Sequence, residues 1–119
     1  MHRKHDELVQ KQLDLPCKGQ TRDQVRKWFD EVKPQPGDTV VVRTTHAGIW
    51  SYTKDTIEDV YKSTNNQIRV ALKLHGAFYR NGVNCYEPTG QTRFVELTPD
   101  VLAAAESNDT YQCIYRVID

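Results

Sequence analysis

The chain contains no run approaching the ~18–20 apolar residues that a membrane-spanning helix requires. Its start, Met1-His2-Arg3-Lys4-His5-Asp6-Glu7, has the basic end of a secretion signal without the apolar stretch that would follow it. A cytoplasmic protein with no membrane partner is therefore expected. Cysteine is scarce: Cys17, Cys85 and Cys113 are odd in number, far apart and form no C-x-x-C pair. That argues against a disulfide framework and a zinc site, and three reduced thiols are expected. His2 and His5 stand three apart, a spacing metals can use, but imidazoles on a fraying terminus are normally solvated. An excess of charge of one sign is missing as well. Sixteen Lys and Arg balance sixteen Asp and Glu, so the chain as a whole has no electrostatic pull toward nucleic acid or an anionic surface.

What is present suffices for a single domain. Of 119 residues, 38% are hydrophobic, enough for one core when each fully buried large side chain contributes ~1.5–3 kcal/mol. The zero net charge hides a polarised chain. Residues 1–36 stand at +2 and 37–60 at −2, whereas 61–94 stand at +4 and 95–119 at −4. The +4 stretch carries Lys62, Arg69, Lys73, Arg80 and Arg93 among Tyr61, Phe78, Tyr79, Tyr86 and Phe94. Cations interleaved with aromatics are the means by which single-stranded nucleic acid is gripped.

Two helices are expected first. Residues 6–15 place Leu8, Val9, Leu13 and Leu15 among polar residues and stop before Pro16. Thr21-Arg22-Asp23-Gln24 fits a capping box, followed by Val25, Trp28, Phe29 and Val32 on one helical face. Lys33-Pro34-Gln35-Pro36-Gly37 ends that helix and sets an expected boundary between a helical arm, 1–36, and a β body, 37–119.

Strand signals follow. Thr39-Val40-Val41-Val42-Arg43-Thr44-Thr45 is nearly all β-branched, as befits a strand buried on both faces. A second strand runs Ile49 to Tyr52, and a third, Thr56 to Lys62, turns at Asn65-Asn66 into residues 67–72. Asn81-Gly82 predicts a tight hairpin with a type I′ turn. Phe94 and Val95 cannot both face one core by alternation. Thr98-Pro99-Asp100 begins a short helix with a hydroxyl cap, proline at the first position and an acid near the dipole's positive end, and residues 111–118 read as a last strand. The fold class expected is α+β: a small antiparallel β-barrel with two N-terminal helices and a short helix before the last strand.

The runs Pro36-Gly37-Asp38-Thr39-Val40-Val41-Val42, Thr56 to Thr64, Ile68-Arg69-Val70 and Phe78-Tyr79-Arg80-Asn81-Gly82, with Thr98-Pro99 opening a closing helix, resemble small SH3-like barrel proteins of tailed bacteriophages. The resemblance spans about residues 36–105 at the level of turns and alternation. It implies an SH3-like barrel and a phage-like origin, with the host cytoplasm as the place of action, and it implies no activity, because such barrels serve unrelated functions.

No catalytic residue, metal or cofactor is expected. Cys85 with His75 lacks an identifiable acid and oxyanion donor, and Asp55, Glu58 and Asp59 suit a solvated strand edge better than a metal site. The protein-binding candidates are Trp28, Trp50, Tyr52, Tyr79 and Arg80, since Trp, Tyr and Arg dominate binding hot spots; Trp50 suits a barrel plug equally well. The nucleic-acid candidates are Lys62, Arg69, Arg80 and Arg93. The function expected is a non-enzymatic protein that binds and inhibits a host protein stoichiometrically, in host takeover or anti-defence. The alternative is a nucleic-acid-binding module using residues 61–94. A homodimer through the helical arm is expected if the Trp28 face is left uncovered.

Overall fold

A computed structural model of the chain describes residues 20–46, 49–90, 92–108 and 110–112. The expected helix over 6–15, His2, His5, Cys17, Cys113 and the end of the expected last strand lie outside them. The order is helix α1 (Arg22–Val32), strands β1 (Thr39–His46), β2 (Ile49–Lys62), β3 (Ile68–Leu72), β4 (Gly76–Tyr79) and β5 (Arg93–Val95), helix α2 (Pro99–Ser107) and β6 (Thr110–Gln112). All strand pairs are antiparallel, in the order β4-β3-β2-β1-β5, with β6 on the first residues of β2.

This sheet corrects the expectation of a closed SH3-like barrel. It is an open, curled half-barrel whose end strands, β4 and β5, form no ladder with each other. Among the described residues, two isolated bridges, Phe78 to Asn84 and Val83 to Arg93, stitch the seam. The reason is local. After two paired residues, the Asn84 side chain accepts the amides of Tyr86 and Glu87 at 2.8 and 3.1 Å, which turns the chain out of the sheet, and Pro88 has no N–H to offer a ladder.

Helix α1 lies on the open side. Its capping box forms as the sequence predicts: Thr21 Oγ1 accepts the Gln24 amide, and Gln24 Oε1 accepts the Thr21 amide. Val25 and Phe29 are buried in one core with Val40, Val42, Ile57, Val70, Leu72, Phe78 and Phe94. The described part of the helical arm thus shares the body's core through Val25 and Phe29. Val32, expected on the same helical face, is 57% exposed beside the helix end.

A second core occupies the opposite face of β1, β2 and β5, where Val41, Trp50, Tyr52 and Val95 meet Val101, Ala104 and Ala105 of α2. The three-valine run of β1 is therefore buried on both sides. The same layering resolves the adjacent pair in β5: Phe94 faces the α1 core and Val95 the α2 core. Thr98 caps α2 by accepting the Val101 amide at 3.2 Å, with Pro99 at the first position. Thr98→Ala is expected to cost about 1 kcal/mol, read as a lower urea midpoint with an unchanged slope.

Strand β2 also differs from expectation. Ile49–Tyr52 and Thr56–Lys62 are one 14-residue strand, with a bulge between Ile57 and Asp59 where its partner changes from β1 to β3. Both β2-β3 and β3-β4 pair as antiparallel neighbours, so the Asn65-Asn66 hairpin forms as read. Its loop and the one at residues 80–82 have a shared design, three residues ending in a left-handed residue: Asn66 at φ 64° and Gly82 at φ 90°. Gly82 N donates to the Tyr79 carbonyl and Tyr79 N to the Val83 carbonyl. A type I′ turn would need positive φ at Asn81 too, and Asn81 has none, so the loop is a three-residue turn closed by glycine.

A candidate anion-binding cleft

Helix α1, the β2-β3 loop and the β4 loop meet at the open end of the half-barrel around a cleft of about 560 Å³. Three cations from three elements line it: Arg26 of α1, Lys62 at the end of β2 and Arg80 after β4. Ile68 and Tyr79 supply apolar surface, and Asn66, Gln67 and Asn81 supply amides. No carboxylate is among these lining residues. Asp30, one helical turn beyond Arg26, places its Oδ1 3.4 Å from Arg80 Nη1. That pair is about half exposed on both sides, a geometry worth ~0–1 kcal/mol, so it does not withhold Arg80 from a competing anion.

The cleft gathers some of the expected residues and excludes others. Lys62, Tyr79 and Arg80 line it, and Arg69 stands beside it with its guanidinium 6.0 Å from the Tyr79 ring. Arg93 does not belong: it is 5% exposed in β5. Trp50 and Tyr52, offered as protein-binding anchors, are corrected to core residues at 1% and 2% exposure. Trp28 is half-buried against the α1 core. Arg26, Asn66, Gln67 and Asn81 were missed. Arg26 follows the core residue Val25, which puts it on the flank of α1, and that spacing was the available signal.

Behind Trp50 and Tyr52 lies a buried polar group. Arg43 is fully buried, donates from Nη1 to Gln20 Oε1 at 2.8 Å and lies 4.6 Å from the Trp50 ring. Gln20 Nε2 in turn donates to the Tyr52 hydroxyl at 3.2 Å. Burial pushes the Tyr52 phenol above its ordinary pKa, against the opposing pull of the Gln20 hydrogen bond and the Arg43 charge. Gln20, Arg43 and Tyr52 are thereby tied together within the core.

The reactive residues weighed in the sequence take other partners. His75 Nδ1 sits 2.6 Å from Asp55 Oδ2, and the Cys85 amide donates to the Ala77 carbonyl. Burial pushes the Cys85 thiol up, despite the opposing charge of Arg69, which disfavours the thiolate a nucleophile needs. Asp55 is also removed from the acidic trio, because its carboxylate is fully buried and committed to the β3-β4 turn while Glu58 and Asp59 face solvent. Among the described residues no group of three or more His, Cys, Asp or Glu is placed to hold a metal ion, and no helix is long and apolar enough to cross a membrane.

Compared with protein-family models, curated proteins and solved structures, the chain matches none.

Proposed function

We propose that this chain is a non-enzymatic binding module that holds a nucleic acid by its phosphate backbone in the cleft at the open end of the half-barrel. The observation that carries this reading is the convergence of Arg26, Lys62 and Arg80, from three separate elements, on one cleft lined by no carboxylate. A neutral chain gains nothing from bulk charge, but three cations in a concave site focus the field locally. The amides of Asn66, Gln67 and Asn81 add donors and acceptors suited to sugars and base edges. Stoichiometric inhibition of a host protein has less support, because two of its five expected anchors, Trp50 and Tyr52, are core.

Fluorescence anisotropy with labelled 20-nucleotide oligonucleotides, single-stranded and duplex, across a salt titration tests this reading. Binding should weaken linearly on a log-log plot, since each neutralised phosphate releases counterions. Lys62→Gln combined with Arg26→Gln should weaken binding about tenfold and flatten the slope by roughly 0.7–0.9 per lost phosphate contact. Both positions are exposed, so the fold should be unaffected. Absence of salt-dependent binding to either oligonucleotide would sink the reading.

A further inference from the structure

We infer that the nucleic acid held here is single-stranded and that its bases stack on a row of planar side chains, Tyr61, Arg69 and Tyr79, on the outer face of the β2-β3-β4 sheet. This rests on the reading of the cleft above and adds the strand state and the base-binding surface. Register and alternation place the row. Val60 pairs with Val70, and Val70 with Phe78, and all three belong to or pack on the α1 core. One residue along, Tyr61 pairs with Arg69 and Arg69 with Tyr79, so these three side chains stand on the opposite face.

The row is built for flat ligands. Tyr61 is exposed, and Arg69 and Tyr79 are half-buried and held together, with the guanidinium 6.0 Å from the ring. Within the row Arg69 lies flat enough against the sheet that its Nε is buried, without a hydrogen-bond partner among the described residues, while the residue as a whole keeps partial exposure. Aromatic rings and guanidinium planes both accept stacked bases without regard to sequence.

Tyr79 belongs to both surfaces: it stands in the row and also lines the basic cleft. Phosphates in the cleft thus have bases within reach of the row. Charge sets the direction. Two residues from Tyr61 on the same face stands exposed Asp59, paired with Ala71, whereas Lys62 and Arg80 follow Tyr61 and Tyr79 at the cleft end. The backbone is therefore favoured at the Lys62 and Arg80 end and disfavoured at the Asp59 end. A duplex keeps its bases stacked inside and cannot use such a row.

The test measures affinity of the full chain for labelled dT15, rU15 and a 15-base-pair duplex, with Tyr61→Leu, Tyr79→Leu and the matching phenylalanine variants. Each leucine variant should bind the single strands at least about fivefold more weakly, the scale of one lost stack. Its salt slope should stay unchanged because no charge is removed, and the phenylalanine variants should bind as the parent does. Loss in dT15 and rU15 alike indicates stacking alone, and loss confined to one of them assigns the row to DNA or to RNA. Leucine variants that keep parental affinity for both single strands would overturn the inference, as would a parent that prefers the duplex. In either case binding that still responds to Lys62→Gln and Arg26→Gln leaves the cleft reading standing. Circular dichroism melts of the phenylalanine and leucine pairs separate lost stacking from lost folding.

Discussion

Gly82→Ala is expected to lower the unfolding free energy by about 4 kcal/mol, from left-handed strain of roughly 1–2 kcal/mol and overpacking of roughly 1–3 kcal/mol. Gly82 closes the β4 loop at φ 90°, and a β-carbon there would run into the carbonyl oxygen of Phe94 and come within 3.1 Å of Val25 Cγ1. Phe94 is backbone in the sheet and Val25 is core, so neither can give way cheaply. Gly37 provides the control. It has φ 95° with nothing within 4 Å of an added β-carbon, so Gly37→Ala should cost only the backbone strain. The two losses, measured by urea unfolding, should differ by the overpacking alone; equal losses would contradict the close approach of α1, β5 and the loop. Because that loop carries Arg80 and Asn81 into the cleft, any Gly82→Ala protein that still folds should also bind nucleic acid more weakly.

Asp55→Ala should cost about 3 kcal/mol, the scale of breaking a buried, hydrogen-bonded charge. The buried carboxylate accepts the amides of Thr56 at 2.7 Å, Leu74 at 3.0 and 3.1 Å and His75 at 3.0 Å, and meets the His75 ring at 2.6 Å. Alanine leaves those amide donors without an acceptor. Asp55→Asn keeps one acceptor oxygen and should lose about half as much. Burial alone would raise the Asp55 pKa, but the hydrogen bonds from His75, Thr56 and Leu74, with the charge on His75, outweigh it and hold the carboxyl below its ordinary value. A depressed folded pKa gives stability that is fully present above the unfolded value, ~3.9, and is lost as pH falls through the folded value. The gap in urea midpoint between parent and Asp55→Asn should accordingly be flat above about pH 5 and close in strong acid. A gap that stays constant to pH 2 would show that the charge contributes nothing.

Local signals in the sequence were read where a residue's own chemistry decides the outcome. Thr21 with Gln24 and Thr98 with Pro99 set helix starts, because a cap needs only a hydroxyl or amide within three residues. Val40-Val41-Val42 marked a strand covered on both faces for the same kind of reason. Asp55 was misread as part of an acidic edge, since the amides that make its burial tolerable arrive from residues 74 and 75. Arg43 gave no warning of its full burial because Gln20 and Trp50 reach it from elsewhere in the chain.

The sequence by itself determined an α+β chain with capped helices, antiparallel hairpins and a basic, aromatic stretch at 61–94. Whether the sheet closes was decided in three dimensions, where Asn84 turns the chain away and α1 fills the open side with Val25 and Phe29. The same event sorted the charges. Arg93 went inward and Lys62 and Arg80 went to a common rim, where Arg26, distant in sequence, joined them. Composition counts cations, but only the packing of α1 across the half-barrel decides which of them share a surface, because exposure depends on neighbours that lie tens of residues away.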